Sequence, residues 1–328
     1  GESRNILVTN TLSWPRSGEI TLPDPPQGMV PAHKDTRCQR VTSLEGENQL
    51  IQEAVDVPGT GSTLIELRQG RCTRGSSFEY SEDHIETPFA SISMDSAGRI
   101  VSWVDKDSGR DIVKTGGFFN AFRIGEDIPE AWDNWDIDSD QRLKMADEKR
   151  LVKQRVISDG PLQLRLRSEY QLGTQSSITQ DMIFHATTPR VDFDTKVDWK
   201  ERRQLFKVLF NMNVEADFAR HEIQYGHVER STHWNLPQDR ARFEVCAHKG
   251  TDLSENDFGV ALLNDCKYGV SVTGSDVGLT LIKSSVHPDA RADEGIHRFV
   301  YSVLPHACAF SVKSVVRPAY ELNVAPLV

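Results

Sequence analysis

Apolar and polar residues alternate with period two along most of this chain. Leu162 to Arg167 and Arg190 to Trp199 keep the alternation strictly. That is the signature of β-strands, whose successive side chains point to opposite faces, and it predicts antiparallel sheets with one wet face. Val208 to Val214 and Phe299 to Leu304 continue the pattern, and Ala90 to Val104 reads as a hairpin turning at Asp95-Ser-Ala-Gly98. Helical spacing is scarce, the best candidate being a turn or two near Asp140 to Arg150. In residues 1–87, short runs such as Ile6 to Val8, Glu19 to Leu22 and Ser62 to Leu67 lie between Gly/Pro-rich turns at Pro23 to Gly28 and Val57 to Gly61. The pattern predicts an all-β protein: a small β-sandwich over 1–87, then a large β-sandwich over 88–328. The polar, aperiodic stretch Gly70 to Pro88 is expected to be the linker, and no solenoid-length repeat is present.

Composition narrows the class. A chain of 328 residues, 38% hydrophobic and 26% charged, is an ordinary soluble globular protein of two domains. No apolar run approaches the ~18 residues of a membrane span, and no basic-then-apolar leader opens the sequence. No membrane partner is expected. With 38 basic against 48 acidic residues the net charge is -10, which repels phosphate backbones and excludes a nucleic-acid partner while leaving neutral polyhydroxyl ligands compatible. The five cysteines, Cys38, Cys72, Cys246, Cys266 and Cys308, are odd in number and scattered. They predict reduced thiols and a cytoplasmic location.

The segment Glu126 to Asp138 holds two Trp-Asp pairs, Trp132-Asp133 and Trp135-Asp136. Indole faces suit the C–H side of a pyranose and carboxylates accept hydrogen bonds from its hydroxyls, so the segment is a candidate sugar site. The alternative is a pair of core Trp anchors whose Asp neighbours cap a turn.

Downstream come Tyr225-Gly-His-Val-Glu-Arg-Ser-Thr-His-Trp-Asn235, Ala241-Arg-Phe-Glu-Val245, Phe258 to Gly269 and Pro288 to His306, and Asn10-Thr-Leu-Ser-Trp-Pro-Arg16 precedes them all. In this order the motifs resemble the C-terminal β region of glycoside hydrolase family 38, the retaining, zinc-dependent α-mannosidases, over nearly the whole chain. The resemblance implies that residues 89–325 form a large antiparallel super-sandwich similar to galactose mutarotase, and that the chain is cut at both ends. Its last residues, Ala319 to Val328, read as extended. It also implies a partner, the protein's own N-terminal catalytic domain, which would carry the zinc, the nucleophile and the acid/base, leaving no catalytic residue, metal or cofactor in this fragment. Alone, the fragment is expected to be inactive. The intact enzyme would remove terminal α-linked mannose from oligosaccharides, with a homo-oligomer also compatible.

Within that frame the substrate-binding candidates at the pocket rim are Trp132, Asp133, Trp135, Asp136, Tyr225, His227, Arg230, His233 and Asn235, with Thr232 among them. Guanidinium and imidazole groups can hydrogen-bond sugar hydroxyls. The alternative is that these residues only hold the domain interface. Asp293, His297 and His306 form a third candidate, for which a buried hydrogen-bonded cluster is an equal explanation. Three further patterns read as coincidence: the His-x-Asp strings His33/Asp35 and His287/Asp289, the series His221, His227 and His233, and the calcium-loop mimic Asp136, Asp138, Asp140 and Asp147, which has Gln141 where a glycine is needed. Two other readings stay open: a stand-alone carbohydrate-binding β-sandwich protein, and a mutarotase-like epimerase using a His and a carboxylate.

Overall fold

The computed structural model describes residues 3–23, 27–33, 35–53 and 56–328. The turn-punctuated first part folds into two three-stranded antiparallel sheets. One has the order Ser3–Asn10, Gly61–Gln69, Met29–Pro31 and the other Glu19–Pro23, Asn48–Glu53, Cys38–Thr42. They enclose a core of its own, built on Val8, Leu22, Leu50, Val57 and Leu67.

The longer period-two runs make a nine-stranded sheet in the order Leu151–Ser158, Gln163–Leu172, Ser176–His185, Val191–Trp199, Gly295–Ala307, Phe258–Asn264, Gly250–Ser254, Phe218–Ile223, Gly226–Ser231. Against it packs a six-stranded sheet ordered Met145–Asp147, Ala121–Glu126, Gln204–Asn211, Asp276–Lys283, Gly269–Thr273, Val245–Cys246. Aromatic pairs bridge the two: Trp199 stacks on Phe206 at 5.8 Å, Phe122 meets Tyr170 edge-on at 5.2 Å, and Phe193 meets Phe210 at 6.3 Å. Such ring pairs add to the area they bury. A four-stranded sheet, Ile100–Asp105, Ala90–Met94, His84–Glu86, Glu79–Tyr80, contributes Trp103, Ile92 and Ile85 to the same core. Its hairpin turns where expected. The Asp95 carboxylate accepts from the N–H groups of Ala97 and Arg99, and Gly98 takes a φ of +74° that L side chains avoid.

Three expectations need correction. The polar face of the strands around 163–167 and 190–194 is not wet, because the small sandwich covers it. Gln163 and Arg165 are each only 4% exposed. Arg165 and Arg167 donate to the carbonyls of Thr42 and Ser43, while the Gln39 carboxamide donates to Gln163 O and accepts from Leu162 N–H and Gln163 N–H. Buried polar groups are tolerated here because they are paired. Next, the end of the chain is not extended. A π-helical turn, Val312–Val316, runs into the helix Arg317–Asn323, whose Val315, Ala319 and Leu322 pack on Ala261, Leu263 and Leu304. Trp14 and Arg16 hold that helix from the other side through Glu321, and Thr9 and Leu327 exchange a pair of backbone hydrogen bonds at 2.8 and 3.0 Å. Finally, of Gly70 to Pro88 only the part up to residue 78 lacks strands. The turn of helix expected near residue 140 is present as Gln141–Lys144, followed at once by a strand.

Candidate functional site

The Trp-Asp segment leaves the strand Ala121–Glu126 and is pinned at several points to the end of the strand Asp276–Lys283. Asp127, 1% exposed, forms an ion pair with Lys283. Burial pushes its carboxyl up from the ordinary range, against the pull of Lys283. Asn134 Oδ1 accepts from Ser285 Oγ at 2.7 Å, and Asp133 Oδ2 accepts from Val286 N–H at 2.8 Å. The Trp132 carbonyl takes the N–H groups of Trp135 and Asp136, which closes a tight turn with Trp132 at φ +56°, an unusual conformation for an aromatic residue.

This anchoring turns both indoles outward, leaving Trp132 73% and Trp135 82% exposed. They are not core anchors. Asp133 has one carboxylate oxygen committed to the backbone, whereas the exposed Asp136 carboxylate makes no hydrogen bond or ion pair among the described residues. Trp132, Trp135 and Asp136 therefore form a rigidly held apolar and anionic knob.

The second segment is a hairpin, Phe218–Ile223 with Gly226–Ser231, and Tyr225 at its tip is fully exposed at φ +61°. His227 packs its ring on Phe310 at 4.6 Å, Arg230 donates to Cys246 O at 3.3 Å, and Thr232 Oγ1 donates to Ala216 O at 2.6 Å. His233 lies 3.6 Å from Asp239, which also accepts from Leu236 N–H at the start of the helix Pro237–Ala241. Asn235 is exposed. Most of this segment's polar groups serve local structure.

The two segments do converge, through Ile137 and Trp234, on a cavity whose lining residues were not among the candidates. This cavity of about 110 Å³ is lined by Ile137, Arg142, Lys207, Trp234, Phe243 and Glu244, among others. The Arg142 guanidinium lies 4.9 Å from the Trp234 ring centroid, while Lys207 pairs with Glu244 and donates to Ser271 Oγ at 3.1 Å. Trp234 sits between His233 and Asn235, and Phe243-Glu244 belongs to the quoted Ala241 to Val245 motif. Those aromatics were the available signal.

The third candidate separates into unrelated pairs. His297 contacts the Asp293 carbonyl at 2.6 Å, whereas His306, nine residues along the same strand, pairs with Asp252 at 2.8 Å. His33, Asp35, His287 and Asp289 are exposed. His221 is buried, its ring pKa lowered to about 3 mainly by that burial, and contacts Thr251 Oγ1. Three acidic residues of the calcium-loop pattern are engaged locally, with Asp138 accepting from Glu130 N–H, Asp140 pairing with Lys144 and Asp147 with Arg123.

Residues 85–291 match the profile of the glycosyl hydrolases family 38 C-terminal domain. The chain belongs to this family. Alpha-mannosidase G of Dictyostelium discoideum is 36% identical, the match covering 98% of this chain and 30% of that protein. Alpha-mannosidase 2C1 of Homo sapiens is 35% identical over 97% of this chain and 29% of its own length. This family 38 chain thus spans about 30% of the curated relatives it matches. An alpha-mannosidase from Enterococcus faecalis V583 superposes with a TM-score of 0.76 at 12% identity, over 99% of this chain and 45% of that one, which establishes the shared fold. Among the described residues no three His, Cys, Asp or Glu side chains gather to hold a metal ion.

Proposed function

We propose that this region is the accessory C-terminal β part of a zinc-dependent retaining α-mannosidase that removes terminal α-linked mannose from oligosaccharides. The nucleophile, the acid/base and the zinc belong to a catalytic domain outside this chain. Residues 1–87 serve as the small sandwich and 88–328 as a galactose-mutarotase-like one, in a cytoplasmic enzyme compatible with homo-oligomers. The knob of Trp132, Trp135 and Asp136 carries the proposal, since large aromatics held 73% and 82% exposed need a ligand or a partner surface to cover them. At the pocket rim the indoles would cover the C–H face of a sugar, and Asp136 and Arg230 would hydrogen-bond its hydroxyls or those of the leaving group.

Two measurements test this. The chain by itself should turn over no aryl α-mannoside and retain no stoichiometric zinc. Metal analysis finding one tightly held zinc per chain, or turnover abolished by a chelator, would place the catalytic centre here instead. In the full-length enzyme, Asp136→Ala or Arg230→Ala removes a charged hydrogen bond worth ~1.5–3 kcal/mol, roughly a ten- to hundredfold loss in kcat/KM, with little change in thermal midpoint. Unchanged kinetics on both an aryl mannoside and a mannose disaccharide would rule out the rim role, and an activity loss that tracks a lowered midpoint would assign these residues to the domain interface.

A further inference from the structure

Cys38 and Cys72 are far apart in sequence, yet both side chains belong to one packed region of the small sandwich, Cys38 within its core and Cys72 against it. Both are free, Cys38 buried and Cys72 partly exposed. Cys38 begins the strand Cys38–Thr42, and its N–H donates to Thr73 Oγ1 at 3.2 Å, so the backbone after Cys72 is tied to the same strand. Cys72 lies in the strandless part of the connection between the two sandwiches. The next residue along the strand, Gln39, makes the buried hydrogen bonds to Leu162 and Gln163 on the nine-stranded sheet. A bond between the two sulfurs would therefore fasten the inter-sandwich connection to the strand that docks on the large sheet.

We propose that Cys72 is a site of reversible thiol oxidation by low-molecular-weight disulfides, which Cys38 resolves into an intrachain Cys38–Cys72 disulfide.

The local chemistry supplies the attacking group. The hydrogen bond from Cys38, the charge of Arg40 and a bond from the Arg40 backbone N–H outweigh burial and lower the Cys72 thiol to about 7, so that near neutral pH about half is thiolate. In the first step the Cys72 thiolate attacks one sulfur of a disulfide such as oxidised glutathione, forming a mixed disulfide and expelling one glutathione thiolate. Next the Cys38 thiol gives its proton to solvent and attacks Cys72 Sγ, expelling the second thiolate. The two cysteines lose two electrons and two protons, and one oxidised glutathione becomes two reduced ones.

The test is to equilibrate the 328-residue protein in mixtures of reduced and oxidised glutathione, quench with acid, block free thiols and map the peptides by mass spectrometry. The expected result is a cross-linked peptide joining Cys38 to Cys72, reversed by dithiothreitol, while the exposed Cys246, Cys266 and Cys308 carry glutathione or stay free. Cys38→Ser or Cys38→Ala should trap glutathione on Cys72, and Cys72→Ser should abolish the cross-link and leave Cys38 unmodified. Oxidation of the unsubstituted protein should raise its thermal midpoint and slow hydrogen exchange in residues 70–78, because a closed loop constrains the unfolded chain. Glutathione persisting on Cys72 while Cys38 is intact, or cross-links no more frequent than those involving Cys246, Cys266 and Cys308, would overturn the proposal.

Discussion

His185→Ala is expected to lower the unfolding free energy by about 3–5 kcal/mol, because it leaves two carboxylates buried without their shared cation. His185 Nδ1 lies 2.9 Å from Glu19 on the small sandwich, and Nε2 lies 2.9 Å from Asp192 on the nine-stranded sheet. Burial would lower this imidazole's pKa, but the charges of Glu19 and Asp192 and their hydrogen bonds overcome it and push it up to about 9. Gln163, Thr187 and Ser302 satisfy the remaining carboxylate lone pairs. A group whose folded pKa is raised contributes fully below its ordinary value of 6.5, and its contribution is lost as the pH climbs through about 9. Glu19 and Asp192 are depressed instead. For each, burial is outweighed by charged neighbours, His185 beside Glu19 and first Arg190, then His185, beside Asp192. Their contribution is present above the ordinary carboxylate range and lost as the pH falls below it. Stability should therefore peak between about pH 5 and 6.5 and decline by up to about 3 kcal/mol toward pH 10. Thermal midpoints measured across this range on the unsubstituted chain and on His185→Gln decide the matter. An equal alkaline slope in both would remove the clamp from the explanation.

Lys283→Met should cost a similar ~3–5 kcal/mol, since it strands the Asp127 carboxylate in a site where burial already works against its charge. Among the described residues Asp127 Oδ1 has no hydrogen-bond partner to fall back on. The damage should be concentrated in the knob, because this ion pair fixes the start of the segment that presents Trp132 and Trp135. Faster hydrogen exchange over residues 127–138 and a lower urea midpoint are the expected readouts. Pairing the change with Asp127→Asn should restore much of the loss, as removing both charges leaves no buried ion uncompensated. If exchange in 127–138 is unaltered by Lys283→Met, the pair does not hold the knob.

The strands were legible because their period is local: Leu164, Leu166, Phe193 and Val197 enter the core as the alternation says. What covers the opposite face was not legible. Gln39 meets Leu162 and Gln163 across more than a hundred residues, and nothing in a run of Gln and Arg distinguishes a face that is solvated from one paired to another sheet. The helix Arg317–Asn323 escaped notice for a different reason. Its buried positions span barely two turns, and Val315, Val316 and Pro318 read locally as strand and breaker, so packing on Ala261 and Leu263 had to decide. At the candidate site, residue types drew attention to two segments but did not give their geometry. Asp133 proved to brace the backbone, and Trp234, which was not among the candidates, proved to line a cavity.

The antiparallel bridge between Thr9 and Leu327 lays the last residues of this chain against its first strand. A short glycine-rich linker from Val328 to the first strand would close the chain into a ring with little rearrangement. New ends could then be opened between Tyr225 and Gly226, at a hairpin tip whose tyrosine contributes nothing to the core. Such a circular permutant should keep the nine-stranded sheet while moving the polypeptide's entry and exit from the small sandwich to the outer edge of the large one.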